Sequence, residues 1–405
     1  MSSDLIARNR LRSRLDAAVR AHPDPLQAPL MVVDLDAFDA NAADLVRRAG
    51  GTPIRVASKS LRVPALLERA LARDGFSGVL SYSLREALWL VEHGVSDDVV
   101  MGYPSVDAGA LARLTGSPSA AGAITLMVDS TDHLDAIDAA RSSRVVPVRI
   151  AIDIDAGLKL AGAHVGPKRS PLHATDAVLS LARAVVERDG FNLVGVMTYE
   201  GQVAGVPDAV PTQRAKSAVV RRLKSASIEQ LLQRRHEIAR GLASLAELEF
   251  WNAGGSGSVE SSAADPEVTE VAAGSGLLVP GLFDHYRSFT PRPAAFFGVP
   301  VVRRPGAGMV TVAGGGFIAS GPAGADRVPI PWAPPGLALT GLEGAGEVQT
   351  PLTGHPADTL AIGDLVWFRH AKSGELFEHT NTAHLLEGSA IIASVPTYRG
   401  TGNSF

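Results

Sequence analysis

The chain of 405 residues contains no cysteine. That excludes disulfides, zinc–thiolate sites, iron–sulfur clusters and a catalytic thiol, and leaves the compartment open. No stretch approaches the roughly 18 uninterrupted apolar residues of a membrane span. The N-terminus, Met1 to Arg20, lacks a continuous apolar segment and does not read as a secretory signal, so a cytoplasmic location is expected. Arg8, Arg10, Arg12, Arg14 and Arg20 are expected to coat a solvated amphipathic helix. Long basic runs are missing as well. Lys and Arg number 38 against 42 Asp and Glu, a formal net charge of −4, which argues against nucleic-acid binding as the main activity. There is no Walker Gly-x-x-x-x-Gly-Lys-Ser/Thr element, so a nucleotide phosphatase gains no support. No period marks a repeat array.

What is present is apolar enough, at 46% hydrophobic residues, for a large core in two or three domains. From residue 29 short apolar runs alternate with helical spacing. Strands are expected at 29–34, 54–57, 78–81, 99–101, 125–128, 145–154, 193–197, 248–252 and 268–271. Helices are expected between them, the first with Asp36 as a possible cap and the longest at 212–246. Roughly eight strands over about 250 residues fit a (β/α)8 TIM barrel; a doubly wound sheet is the alternative. After about residue 286 long helices vanish, while Gly and Pro punctuate β-rich runs at 295–302, 309–313, 346–350, 364–369 and 390–395. The expected organisation is therefore an N-terminal segment (1–28), an α/β barrel (29–286) and a C-terminal all-β domain (287–405).

Barrel chemistry sits at strand C-terminal ends. Lys59, in Arg55-Val-Ala-Ser-Lys59-Ser-Leu-Arg62, leaves an apolar strand directly. There a lysine amine can be desolvated and become available for a Schiff base, or it can simply snorkel to solvent. Trp251-Asn-Ala-Gly-Gly255-Ser-Gly-Ser258 follows a late strand and could aim backbone N–H groups at a phosphate. Ala272-Ala-Gly274-Ser-Gly276 offers a second set of donors. An amine, a phosphate nest and a trailing β domain together suggest pyridoxal phosphate. Asp153 and Asp155 alternate along one strand, so at most one is expected to face the site. Arg169 could bind a substrate carboxylate or be a solvated loop residue. Gly314-Gly-Gly316 reads as a turn.

These residues resemble the fold-type III pyridoxal-phosphate enzymes of the alanine-racemase-like superfamily, in the D-threonine aldolase and D-serine dehydratase branch. The resemblance spans roughly residues 28–390. Arg55 to Arg62 is similar to that branch's Arg-Pro-His-x-Lys-Thr-His-Lys element but lacks both histidines. Asp155-Ala-Gly157 with Gly162 resembles its Asp-x-Gly…Gly turn, and Gly195-Val-Met-Thr-Tyr199-Glu-Gly-Gln202 its Gly-x-x-x-Tyr-Glu-Gly-His element. Gly254-Gly-Ser-Gly-Ser258, Thr269-Glu-Val-Ala-Ala-Gly-Ser275 and Asp284-His-Tyr286 follow in the same order.

The resemblance implies a lyase that cleaves small D-β-hydroxy amino acids by a retro-aldol reaction, with dehydration, racemisation or a non-catalytic pyridoxal-phosphate carrier as alternatives. It implies Lys59, Tyr199, His370 and Lys372 as catalytic residues. Lys59, Arg55, Tyr199, Gly254, Gly255, Ser256, Gly257, Ser258, Gly274, Ser275 and Tyr286 would hold the cofactor. It also implies a homodimer, with one β domain completing the partner's site. The branch places a divalent metal on a His-x-Asp or His-x-Cys pair. Here His370 fits the first ligand, but Lys372 stands in the second position and cannot donate a lone pair. Either the ammonium replaces the metal, which the reading favours, or His370 recruits Glu375, His379 or His384.

Overall fold

Apolar runs bounded by turn residues form the strands of this protein, and amphipathic segments between them form its helices. The computed structural model describes residues 3–141, 146–290 and 292–405. Eight parallel strands close into a barrel: Ile54–Ala57, Phe76–Ser81, Val99–Met101, Ile124–Val128, Val148–Asp153, Phe191–Thr198, Phe250–Ala253 and Glu270–Ala273. They are numbered first to eighth below. The fourth is buried at every position, as a strand covered by helices outside and side chains within must be. Val145, at the start of one expected strand, lies outside the described residues. An all-β region follows the barrel, as the sequence predicts, and it includes strands Ile330–Ala333, Ala338–Leu339 and Thr382–Glu387 that the pattern did not reveal. No helix among the described residues is long and apolar enough to cross a membrane.

Strand Leu30–Asp34, grouped with the barrel by its order in the chain, belongs elsewhere. It pairs antiparallel with Ala295–Gly306 and parallel with Thr382–Glu387, inside the nine-stranded sheet of the C-terminal region. All five of its residues are buried. A strand covered on both faces carries no alternation, so its pattern cannot tell one sheet from another. Asp34 rather than Asp36 caps the next helix, Leu35–Ala49, accepting from the Ala37 amide at 3.4 Å.

The N-terminal helix, Ser3–Ala21, is docked rather than solvated. Leu15 and Ala18 bury against Leu30, Phe296 and Trp367. The Arg8 guanidinium lies 3.6 Å over the Trp332 ring, and Arg14 pairs with Asp34. Of the five arginines, Arg10 and Arg20 are exposed.

Candidate active site

The C-terminal ends of the barrel strands and part of the β region enclose a cavity of about 400 Å³. Into it the first strand delivers Lys59. The strand ends at Ala57, and a single 3-10 turn, Ser58–Ser60, turns the chain inward. Ser58 Oγ donates to the Leu80 carbonyl at 3.2 Å and Ser60 Oγ meets Ser275 Oγ at 3.0 Å, so the turn is anchored on both sides. Lys59 Nζ donates to the Tyr103 hydroxyl at 2.8 Å. Sequence reasoning missed Tyr103; its place directly after the third strand, in Gly102-Tyr103-Pro104, was the available signal. Burial acts to raise the Tyr103 pKa, but the Lys59 and Arg169 charges outweigh it and hold the hydroxyl below its ordinary value.

Two loops face Lys59. The first follows the seventh strand, where Gly254 has φ +82°, a left-handed conformation that favours glycine. Its shape is set by Glu200, a buried carboxylate that the sequence placed in a motif without a role. Glu200 accepts from the Gly254 amide at 3.2 Å, from Ser258 Oγ at 2.9 Å and from Ser262 Oγ. Arg235, itself buried, bridges Glu200 at 3.2 Å and Asp265 at 2.9 Å. The second loop follows the eighth strand. Ser256 Oγ ties the two together, accepting from the Gly274 amide at 3.3 Å and the Gly276 amide at 2.8 Å.

A Cβ on Gly274 would lie 2.5 Å from the Ala57 carbonyl oxygen, and one on Gly255 2.9 Å from Ala204 Cβ. The glycines therefore permit close backbone approach. Among the described residues, the Ser256 and Gly257 amides donate to no protein acceptor.

Of the residues singled out from sequence, the cavity wall gathers Lys59, Tyr199, Gly254, Gly255, Ser256, Gly274, Ser275 and Lys372. Burial and then Glu200 push the Tyr199 hydroxyl up to about 12. Other expected residues lie off the wall. Arg55 sits inside the barrel with both outer donors engaged, by Glu270 at 2.7 Å and Asp98 at 2.9 Å, and Asn252 completes the cluster on Glu270 at 2.8 Å. Its strand position, two residues before Ala57, points it into the barrel rather than out of its mouth. Ser258 is committed to Glu200. Gly257 packs against Ala204 and Tyr286, and Tyr286 buttresses the loop from behind, donating to the Ala204 carbonyl at 2.9 Å.

His370 is fully enclosed and neither ring nitrogen has a hydrogen-bond partner among the described residues. Burial and the neighbouring Arg369 charge lower its pKa to about 3. The three residues named as alternative ligands beside it are engaged elsewhere. Glu375 holds Lys372 at 3.2 Å and Ser320, His379 lies against Phe317 at 5.0 Å, and His384 bonds Ser394 at 2.8 Å. Among the described residues no three His, Cys, Asp or Glu side chains cluster as a metal site would require. This donor set does not fit a metal, whereas the Lys372 ammonium does reach the cavity beside Ser320 and Arg327.

Asp153 and Asp155 both line the cavity, contrary to the alternation expected of them. The strand stops at Asp153, so the period of two no longer governs Asp155. Asp155 accepts from the Gly157 amide at 2.8 Å and meets His164 at 2.9 Å. Gln202 braces the same turn, donating to the Ala156 carbonyl at 2.7 Å. The Asp153 carboxyl has no such partner. Burial, then the charge of Asp129, raise its pKa to about 7 against the opposing pull of Arg169. Arg169 also lies at the cavity wall, 5.9 Å from the centres of both the Tyr103 and Tyr199 rings.

The family described as alanine racemase, N-terminal domain, matches residues 33–279. A 3-hydroxy-D-aspartate aldolase of Paracoccus denitrificans (strain Pd 1222) is 26% identical over 239 residues, which is 58% of this chain and 55% of that protein. The chain thus spans about half the length of the curated relatives it matches. Among solved structures, D-threonine aldolase from Filomicrobium marinum superposes with a TM-score of 0.71 at 20% identity, covering 93% of this chain and 96% of that one. D-threo-3-hydroxyaspartate dehydratase from Delftia sp. HT23 gives 0.72 at 19% identity, covering 92% and 97%. At such identities the structural likeness carries the fold alone.

Proposed function

The chain belongs to the alanine racemase N-terminal-domain family, and from that premise we infer that it is a pyridoxal-phosphate-dependent lyase. Its proposed substrates are small D-β-hydroxy amino acids, cleaved by a retro-aldol reaction. The observation that carries this reading is the convergence on one cavity of the Lys59 amine and two glycine loops joined through Ser256. The fit to the cofactor rests on the loops themselves. A Cβ at Gly274 or Gly255 would collide with Ala57 or Ala204, so glycine lets the loops close in on the Lys59 turn, and the Ser256 amide, on the cavity wall, has no protein acceptor among the described residues. Lys59 would hold the aldehyde end, and the Ser256 and Gly274–Ser275 backbones the phosphate.

When bound, pyridoxal phosphate withdraws electrons from the substrate Cα and makes a bond to that carbon labile. The chain's own groups do the rest. Tyr103 orients the Lys59 amine through their 2.8 Å hydrogen bond. Glu200 and Arg235 fix the phosphate loop from behind, so that its donors need not reorganise when an anion arrives. Tyr199, whose hydroxyl stays protonated at neutral pH, offers a wall and a donor rather than a base. Lys372 brings a positive charge to the side of the cavity formed by the β region, where it can stabilise negative charge developing on a substrate oxygen. No step runs through a metal.

The names borne by the relatives, aldolase and dehydratase acting on 3-hydroxyaspartate, support the substrate class. The same resemblance supports a homodimer, which light scattering on the holoenzyme checks. Incubation of the holoprotein with D-threonine, D-serine, D-3-hydroxyaspartate and their L forms tests the reading. Glycine plus an aldehyde marks the aldolase, a keto acid plus ammonia the dehydratase, and the enantiomer a racemase. Borohydride reduction fixes a pyridoxyl group on the Lys59 peptide if the assignment is right; labelling of another lysine refutes it.

A further inference from the structure

We propose that Asp153, across the barrel mouth from Lys59, is the group that takes the proton of the substrate's β-hydroxyl. The inference rests on the lyase reading above and deepens it, because retro-aldol cleavage needs a base at that oxygen. In the closed ring of eight strands, the first and the fifth stand four steps apart, diametrically opposite. Lys59 follows the first and Asp153 ends the fifth. A substrate held from the Lys59 side therefore presents its far end toward Asp153.

Elimination among the cavity's titratable groups leads to the same residue. The Arg55–Arg62 turn contains no histidine. Tyr82 and Tyr199 have hydroxyls raised by burial and cannot serve as neutral-pH bases. Tyr103 is bound to Lys59, and Lys59 is committed to the cofactor. Arg169 and Arg327 do not deprotonate. Lys372 is paired with Glu375, and Asp155 is taken by Gly157 and His164. Asp153 is the carboxyl on the wall with neither a hydrogen bond nor an ion pair among the described residues. Its surroundings are mixed in sign: Asp129 after the fourth strand and Asp155 on its own segment favour the protonated form, and Arg169 from the following loop favours the carboxylate. Balanced in this way, the carboxyl can both accept and release a proton near neutrality.

The step balances without a co-reactant. The hydroxyl proton moves to an Asp153 oxygen, the O–H electron pair becomes the second bond of the aldehyde carbonyl, and the Cα–Cβ bond breaks. Its pair stays with Cα, which then takes up one proton to give glycine, while Asp153 returns one to solvent.

The test is Asp153→Asn, which keeps the shape and removes the base, examined as holoenzyme. Visible absorbance first establishes that the variant binds pyridoxal phosphate as the wild type does. Two reactions are then compared: cleavage of D-threonine, and exchange of the glycine α-proton in deuterated water followed by NMR. Any enzyme that makes glycine by this route must exchange that proton, and exchange involves no β-hydroxyl. The expected result is a loss of about 100-fold or more in cleavage, with exchange within about threefold of wild type and the acidic limb of the wild-type pH profile abolished. A measurement independent of turnover accompanies it. The carboxyl carbon resonance of Asp153, assigned by its absence in the variant, should titrate near neutral pH in the wild type. Cleavage within threefold of wild type overturns the proposal, as does exchange falling in step with cleavage, or a resonance that does not titrate between about pH 6 and 8. If wild-type protein binds the cofactor and cleaves no β-hydroxy amino acid, the lyase reading itself has failed and the proposal falls with it.

Discussion

Replacing Gly274 with alanine should cripple cofactor binding while leaving the barrel folded. The φ there is −157°, outside the left-handed region that favours glycine, and the expected effect is that of crowding. The added Cβ would stand 2.5 Å from the Ala57 carbonyl oxygen, 2.9 Å from Ser60 Cβ and 3.0 Å from Ala57 Cβ. An ordinary contact needs about 3.4 Å, and the nearest atom belongs to the backbone, which cannot swing aside. The first and eighth strand ends must therefore separate by several tenths of an ångström. That movement pulls the Lys59 turn away from Ser256 and Ser275. Crowding of this kind costs about 1–3 kcal/mol, or about 5–150-fold in an equilibrium constant. Titration of the apoprotein with pyridoxal phosphate, followed by visible absorbance, reads the loss directly. A control separates local from general strain. Gly241, in the helix Arg214–Leu242, would place a Cβ 2.5 Å from the Leu179 Cδ1 methyl. The crowded atoms there are the end of a movable leucine side chain and alanine favours the helix, so Gly241→Ala should leave cofactor affinity unchanged. If Gly274→Ala binds as tightly as wild type, or if both variants lose affinity equally, the close approach of the two loops is not what forms the site.

Two further outcomes follow from the β region. D-Threonine cleavage should survive dialysis against EDTA, because Lys372 occupies the position where a metal ligand would stand and Glu375 is tied to it; activity that disappears and returns with manganese or zinc refutes this. His370→Leu should leave activity within about threefold of wild type and flatten the acid side of the stability curve. The folded imidazole titrates at about 3 because it is buried, against 6.5 when unfolded, so the unfolded state binds the extra proton and wild-type stability falls as pH drops below 6.5. Between pH 6.5 and 5 the difference between the two proteins should approach about 2 kcal/mol in urea titrations, and parallel curves would show that the ring is protonated in place.

Much of the cofactor side was legible because strand ends announce themselves. Lys59 follows an apolar run, and the glycine loops follow two more, so position alone placed them at the barrel mouth. The supports behind those loops were not legible. Glu200, Arg235 and Asp265 come from a strand end, a long helix and a loop, separated by 30 and 35 residues along the chain, and no local pattern joins them. Arg55 was misplaced for a related reason. It shares a motif with Lys59, but the pleat turns it inward to Glu270, whose partnership depends on ring closure between the first and eighth strands. Strand Leu30–Asp34 was ambiguous because complete burial erases the alternation that would have assigned it.

The cavity divides its work by strand. Groups that would hold the cofactor lie on the seventh, eighth and first strands, which are neighbours in the closed ring. On the far arc lie Tyr103 after the third strand, which orients the Lys59 amine, Asp153 on the fifth, the proposed base, and Tyr199 after the sixth, which offers a wall and a donor. The remaining wall, with Ser320, Arg327 and Lys372, comes from the β region. Neither of the glycine loops hydrogen-bonds to those three residues among the described contacts; Lys372 is steadied by Ser320 and Glu375, both of its own region. The side chains of those three residues can therefore change while the bond from Ser373 Oγ to the Ser275 carbonyl, 3.4 Å, which joins that wall to the second glycine loop, stays in place. Selectivity among β-hydroxy amino acids should accordingly reside in Lys372, Ser320 and Arg327, and changes there should alter which substrate is preferred while the affinity for pyridoxal phosphate stays fixed.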